Sequence, residues 1–363
     1  MLITIISFLL ILGVLVVVHE LGHFVAAKKL GIKVEEFGFG LPPRIWGVKR
    51  GETIYSINAL PIGGFVKLLG EDQDNTLNQK SKVKSQKLIE RAFFARPVWQ
   101  RALVLVAGVS MNFLLAVLLI SYLFTQGVMV PTDRVHVEKI VKGTPAESAG
   151  LKEKDIIKDV SSEGKKEVLD SSDKFVKYTR SHLGKEITMT IDREGKKLTF
   201  KLTPRKEFPK DQGPLGVVIS SYEEKKYSLV KAPILGTWEA VKLSGVLLVG
   251  VGQTLWKLVS FQGVAQDVTG PVGIAELTGQ AVKFGHIAVL ELMGLLSLNL
   301  AIVNILPFPA LDGGRLFFVL VEGITKKKIR PSWERNLHQI GMIILLALIL
   351  LVTLNDIIKI FAR

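Results

Sequence analysis

The chain has 363 residues and no cysteine, which excludes thiolate metal ligands, cysteine nucleophiles and disulfides. Its composition is 48% apolar with a mean hydropathy of +0.36, more than an ordinary soluble domain carries. The formal charge of +14 sits largely in Lys/Arg runs flanking long apolar stretches, which favours a membrane-facing surface over a nucleic-acid-binding one.

The first apolar run, about Leu2 to Ala27, is long enough to cross a bilayer. It lacks a basic n-region and a cleavage signature, so it reads as a retained span and not a signal peptide. Inside it lies His19-Glu20-Leu21-Gly22-His23, an H-E-x-x-H pattern with no other ionisable side chain before Lys28. Four residues make slightly more than one helical turn, so His19 and His23 project from one face and can offer two nitrogens to one metal. Glu20 lies about 100° round the axis, placed to act as a general base without being a ligand. Ionisable groups are expensive in hydrocarbon, so their presence points to a Zn2+ site and hydrolytic chemistry.

Between Gly38 and Gly70 the chain is rich in Gly, Pro and alternating apolar residues, which predicts short strands joined by the turn Pro61-Ile62-Gly63-Gly64. Such an apolar hairpin enters the membrane only where protein or water covers its backbone. Glu71 to Lys87 is polar and reads as a loop, and a second span follows at about Ala102 to Phe124. Alternating segments from about Val135 to Ser220, with a Pro-initiated turn at Thr144 to Leu151, predict a small α+β domain. Pro233 to Phe261 mixes Trp, Leu and Val with Gly and charges, and reads as an amphipathic helix along the membrane interface or as a fifth span; the interfacial reading is preferred, because a span would bring the third run in from the wrong side. Third and fourth spans fall at about Ile287 to Leu306 and Ile340 to Ile360.

Lys28, Lys29, Lys33, Arg91, Arg96, Arg101 and the basic group from Lys326 to Arg335 flank the span ends that should face the cytoplasm. The α+β domain then faces outward. A catalytic zinc usually takes three protein ligands. Asp312 is the candidate third ligand, because Pro307, Pro309, Gly313 and Gly314 break the helix after the third run at a depth similar to that of His23. The competing reading is that Asp312 only caps the next helix.

The combination of HELGH, the hairpin ending Gly63-Gly64-Phe65-Val66, Asn112, Gly270-Pro271-Val272-Gly273-Ile274 and Asn304-Ile305-Leu306-Pro307-Phe308-Pro309-Ala310-Leu311-Asp312-Gly313-Gly314 resembles the site-2 protease family of intramembrane zinc metalloproteases. The resemblance is to the bacterial regulator-of-sigma-E type and covers most of the chain. It implies a polytopic α-helical membrane protein with four transmembrane helices, a membrane-associated β-hairpin and an extracytoplasmic PDZ-like α+β domain. It also implies His19, His23 and Asp312 as zinc ligands, Glu20 as catalytic acid/base, and Asn304, Pro307, Pro309, Gly63, Gly64, Phe65 and Asn112 as substrate-binding positions.

The expected partners are the lipid bilayer and single-span membrane proteins already cut by a site-1 protease, such as anti-sigma factors, or leftover signal peptides; nucleic acid is not expected. The location is the bacterial inner membrane, with the active site near the cytoplasmic face. The resulting division is 1–30 first span, 31–97 cytoplasmic segment with hairpin, 98–126 second span, 130–221 PDZ-like domain and 222–284 amphipathic linker. Beyond these come 285–325 broken third span, 326–338 basic loop and 339–363 fourth span. The chain departs from the family pattern in having room for one PDZ domain, Lys154 where the Ala149-Gly150-Leu151 motif expects Gly, and Val109 where Pro is common. Two other functions fit the same features: a membrane-anchored zinc peptidase acting on extended cytosolic peptides, and a non-catalytic PDZ scaffold.

Overall fold

The structure, a computed structural model of the chain, describes residues 2–71, 86–209, 212–260 and 269–361. Most of the loop expected at Glu71 to Lys87 lies outside the described residues. The chain forms two compact units, one made of Met1–Leu123 with Val230–Arg363 and the other of Phe124–Leu229.

The first unit opens with helix α1, Leu2–Lys29, apolar on all sides except where the HELGH residues interrupt it. Strands β1, Val34–Arg50, and β2, Thr53–Leu68, follow. Each strand is bent by its Pro/Gly residues, so the register resolves into segments. Residues 34–39 pair with 64–68 on one side and lie beside 54–57 on the other, while 44–50 pair with 53–58. Segments 44–50 and 64–68 are therefore sheet edges, with no further strand paired to them among the described residues. The base of the hairpin is fixed by Glu52, which binds Arg91 at 2.7 Å and Lys28 at 3.1 Å. Arg91, assisted by Lys28, holds the Glu52 carboxyl down to about 2.

After the short helix α2, Gln86–Glu90, and a 3₁₀ turn at Phe93–Ala95, helix α3 runs over Val98–Gln126. It is antiparallel to α1, since His23 meets Val104 while His19 meets Asn112. A Cβ at Gly22 would overlap the Ala107 carbonyl, so a side-chain-free position lets the two backbones touch.

The second unit contains β3, Val128–Ile140; α4, Pro145–Ser148; β4, Ile156–Ser162; β5, Lys165–Val168; α5, Ser172–Ser181; β6, Ile187–Arg193; β7, Lys196–Leu202; and β8, Val217–Lys225. The sheet order is β7-β6-β4-β3-β8, with β5 on β4. Val135, Val137, Ile157, Ile187, Met189 and Ile191 project from one face of the sheet pattern and, with Phe175 of α5, form a buried core. Asp155 is 1% exposed and pairs with Arg193 through both carboxylate oxygens at 2.7 Å. Lys154, where the motif expects Gly, adopts a φ of +73°, the left-handed conformation that glycine takes without strain.

Back in the first unit, helices α6, Lys231–Val259; α7, Pro271–Phe284; α8, His286–Ile305; α9, Asp312–Thr325; and α10, Pro331–Phe361 complete the chain. Among the described residues five helices, α1, α3, α6, α8 and α10, are long and apolar enough to cross a membrane, one more than the four expected. The addition is α6, whose glycines and few charges do not interrupt a continuous 29-residue helix. Helix α8 is antiparallel to α3 and so parallel to α1: Ser297 binds the Asn112 carbonyl, and Gly294 faces Leu119. Helix α7 lies at the end of this bundle away from the histidines. Its Gly279 faces Thr4 near the start of α1, and Gly270 and Gly273 face Asp356 near the end of α10. Helix α10 starts at Pro331, inside the segment expected to be a basic loop.

Candidate metal centre

Three donor atoms converge where α1, α3 and the α8–α9 connection meet. His19 Nε2 lies 2.9 Å from Asp312 Oδ2, His23 Nε2 lies 3.2 Å from the same oxygen, and the two imidazole nitrogens are 3.2 Å apart. Both histidines are buried and Asp312 is half-buried. Neutral imidazole nitrogens and a carboxylate oxygen bring lone pairs to one point, an arrangement that a cation relieves. Tetrahedral ligation at zinc distances sets donors about 3.3–3.6 Å apart, so this cluster fits a zinc ion after a shift of a few tenths of an ångström. The set His, His and carboxylate is that of a catalytic zinc with one position left open.

Each ligand is held by backbone and sequence features nearby. His23 Nδ1 donates to the Val104 carbonyl at 2.8 Å, which fixes the ring and leaves Nε2 as the free nitrogen. Gly108, one turn further along α3, is the surface on which that ring lies, and a Cβ there would meet its Cε1 at 2.6 Å and Cδ2 at 2.8 Å. Asn112, another turn on and fully buried, places its amide 3.4 Å from His19 Nδ1. Asp312 is the first residue of α9, but the N-cap position is Leu311 and no side chain caps the helix; the Asp312 carboxylate faces the histidines instead, so the capping reading does not hold.

Prolines 307 and 309 stop α8. Gly313 and Gly314 let the chain fold back onto it, because Cβ atoms there would overlap the Ile305, Leu306 and Phe308 carbonyls. Ala310, at φ +81°, donates its N–H to His338 Nδ1 at 2.9 Å, and Pro309 packs on Gly341. Helix α9 is anchored by Arg315 to Glu71 and by Glu322 to the buried Arg101 at 2.8 Å.

Of the positions expected to contact substrate, Gly64 comes closest to the centre. A Cβ there would lie 3.3 Å from Glu20 Cγ and 3.1 Å from Val16, so a glycine lets the edge segment 64–68 approach the glutamate. Phe65 covers Gly38, while Gly63 turns the chain at φ +89°. Asn304 is half-buried in the last turn of α8, and Pro307 is exposed. Asn112 faces His19 rather than an open surface. Sequence reasoning missed Val104 and Gly108. Their only signal is the four-residue spacing Val104, Gly108, Asn112, which defines one stripe of a helix.

A two-histidine, one-carboxylate zinc site with an adjacent glutamate, set among helices of membrane-crossing length, defines a zinc metalloendopeptidase of the site-2 protease type. The profile of peptidase family M50 matches residues 7–348, and the chain belongs to that family. It is similar to "Zinc metalloprotease RasP" of Bacillus licheniformis, 33% identical over 99% of both chains. "Regulator of sigma-W protease RasP" of Bacillus subtilis is 31% identical over 99% of both. "Putative zinc metalloprotease FN1322" of Fusobacterium nucleatum is 35% identical over 96% of this chain and 97% of its own.

Proposed function

We propose that the chain cleaves single-span membrane proteins within or beside their membrane segment, with anti-sigma factors and signal-peptide remnants as the substrate class. The observation that carries this reading is the His19, His23 and Asp312 cluster, with both histidines buried among helices long and apolar enough to cross a membrane and a strand edge beside Glu20. The relative from Bacillus subtilis bears a name that ties it to sigma-W, which fits such a substrate.

His19, His23 and Asp312 would hold zinc, which when bound would supply Lewis acidity and lower the pKa of water at the site. The Glu20 carboxylate would accept a proton from water as the water oxygen bonds to the peptide carbonyl carbon, and would deliver it to the leaving nitrogen as the C–N bond breaks. A peptide bond inside a helix is shielded by its own hydrogen bonds, so substrate must unwind first. The open edge at 64–68 offers unpaired backbone groups beside Glu20, and an unwound segment adding there as a strand would present its carbonyls to the site. Asn304, Pro307 and Pro309 lie at the broken end of α8, in the stretch of chain that leads to Asp312.

The metal-proximal ends of the helices carry Lys28, Lys29, Arg96, Arg101 and the 326–335 basic group, so this end is cytoplasmic and the PDZ-like unit extracytoplasmic. Helices α6 and α7 both start at the opposite end of the bundle, and α8 runs parallel to α1. That parity is kept when α6 does not make a net crossing, which leaves four spans and an interfacial or re-entrant α6. A prior cut by a site-1 protease would remove the substrate's ectodomain.

The test is Glu20→Gln in the purified full chain. Zinc content stays at the wild-type level and cleavage of a reconstituted single-span substrate disappears; retained turnover would remove Glu20 from the chemistry.

A further inference from the structure

Asn112 is 0% exposed in the middle of α3. A fully buried amide with an unpaired oxygen costs about 1–3 kcal/mol, and as placed its Oδ1 has no hydrogen-bond partner while its Nδ2 points at His19 Nδ1, 3.4 Å away. Amide oxygen and nitrogen are interchangeable by a half-turn of the side chain, so the hydrogen-bond chemistry decides which faces the ring. His19 directs Nε2 at Asp312 and His23. For that nitrogen to offer a lone pair, the neutral ring must carry its proton on Nδ1, and Nδ1–H needs an acceptor. A donating Nδ2 cannot serve; Oδ1 can.

We infer that Asn112 is a positioning residue of the metal centre, its Oδ1 accepting the Nδ1–H of His19 and so holding that ring in the tautomer and orientation that leave Nε2 free for zinc. The other histidine is served in the same way by the Val104 carbonyl, so α3 supplies both acceptors from one stripe, with Gly108 clearing space between them. Asn112 is itself fixed from the far side, because Ser297 of α8, also 0% exposed, donates to its backbone carbonyl at 2.8 Å. The helix that leads to Asp312 and the helix that carries the histidines are thereby referenced to one residue. This gives Asn112 a role behind the ligand, distinct from the substrate contact expected from sequence.

The inference rests on the zinc reading above, and the experiment separates them. Zinc affinity of the purified full chain is measured by chelator competition for wild type, Asn112→Asp and Asn112→Leu. Loss of an outer-shell partner of a ligating histidine weakens metal binding about 10–100-fold. Asn112→Leu, of similar size and without an acceptor, should show that loss. Asn112→Asp, which can only accept, should stay within about three-fold of wild type, less than the 10–100-fold attached to losing the partner. A merely space-filling residue would give the opposite order, because leucine fills the site without burying a charge. Wild-type affinity in Asn112→Leu, or a loss in Asn112→Asp as large as that expected for leucine, would overturn the inference. The aspartate variant decides alone should the leucine variant not fold. Failure of the wild type itself to bind zinc would instead refute the metal reading.

Discussion

Gly108→Ala places one methyl group against a metal ligand. The new Cβ would lie 2.3 Å from His23 Nε2 and 2.6 Å from Cε1, whereas ordinary contact begins at 3.4 Å, so the ring or the helix must give by about 1.1 Å. Moving the ring that far from α3 stretches its 2.8 Å bond to the Val104 carbonyl to about 3.9 Å, beyond hydrogen-bond reach. Separating the helices instead breaks the backbone contact at Gly22, an overpacking cost of about 1–3 kcal/mol. The alternative, a lost hydrogen bond, costs ~1 kcal/mol, so either response costs about 1–3 kcal/mol, and it falls on the geometry of Nε2. Zinc affinity should drop about 10–100-fold, the range seen when ligand support is removed. The assay is chelator competition together with thermal unfolding of the purified full chain. Gly245→Ala on α6, where a Cβ meets nothing within 4 Å, is the control and should keep wild-type zinc affinity. Equal zinc affinity in Gly108→Ala and wild type would refute the account of α3 as the support of His23.

Asp356 is 5% exposed and accepts the N–H groups of Gly270 at 3.2 Å and Gly273 at 2.8 Å, so it caps α7 from α10. Asp356→Ala leaves both amides unpaired and should cost about 2–4 kcal/mol of stability, read by thermal unfolding, with zinc content unchanged. Lys154→Gly removes a left-handed non-glycine residue, a strain of about 1–2 kcal/mol offset by the flexibility glycine adds to the unfolded chain. It should increase hydrogen-exchange protection of β3 and β4 by up to ~1 kcal/mol; decreased protection would contradict the strain at that position.

The three residues that converge on the candidate metal centre were legible because their signature is local: His19 and His23 are one helical turn apart, and Asp312 is marked by the prolines and glycines around it. The support for those residues was not, because it consists of a backbone carbonyl at Val104, a missing Cβ at Gly108 and an amide orientation at Asn112. None of these has a residue-type signal strong enough to name its partner. Asn112 stood out by its match to a family position, which indicates importance without saying what the side chain touches. The extent of α6 was legible to within two residues, but its glycines and scattered charges leave its apolar pattern compatible with either an interfacial or a spanning helix. Lys154 shows the reverse: the motif expects glycine there, and the chain adopts a left-handed conformation with the less suitable residue.

The central claim, that this zinc site hydrolyses peptide bonds of a membrane-spanning segment, is tested most directly by mass spectrometry of products from a reconstituted single-span substrate cut by the purified full chain. Cleavage should fall within the substrate's apolar segment or within a turn of its cytoplasmic end and be absent with Glu20→Gln. Products cut only in an extended soluble region would contradict it.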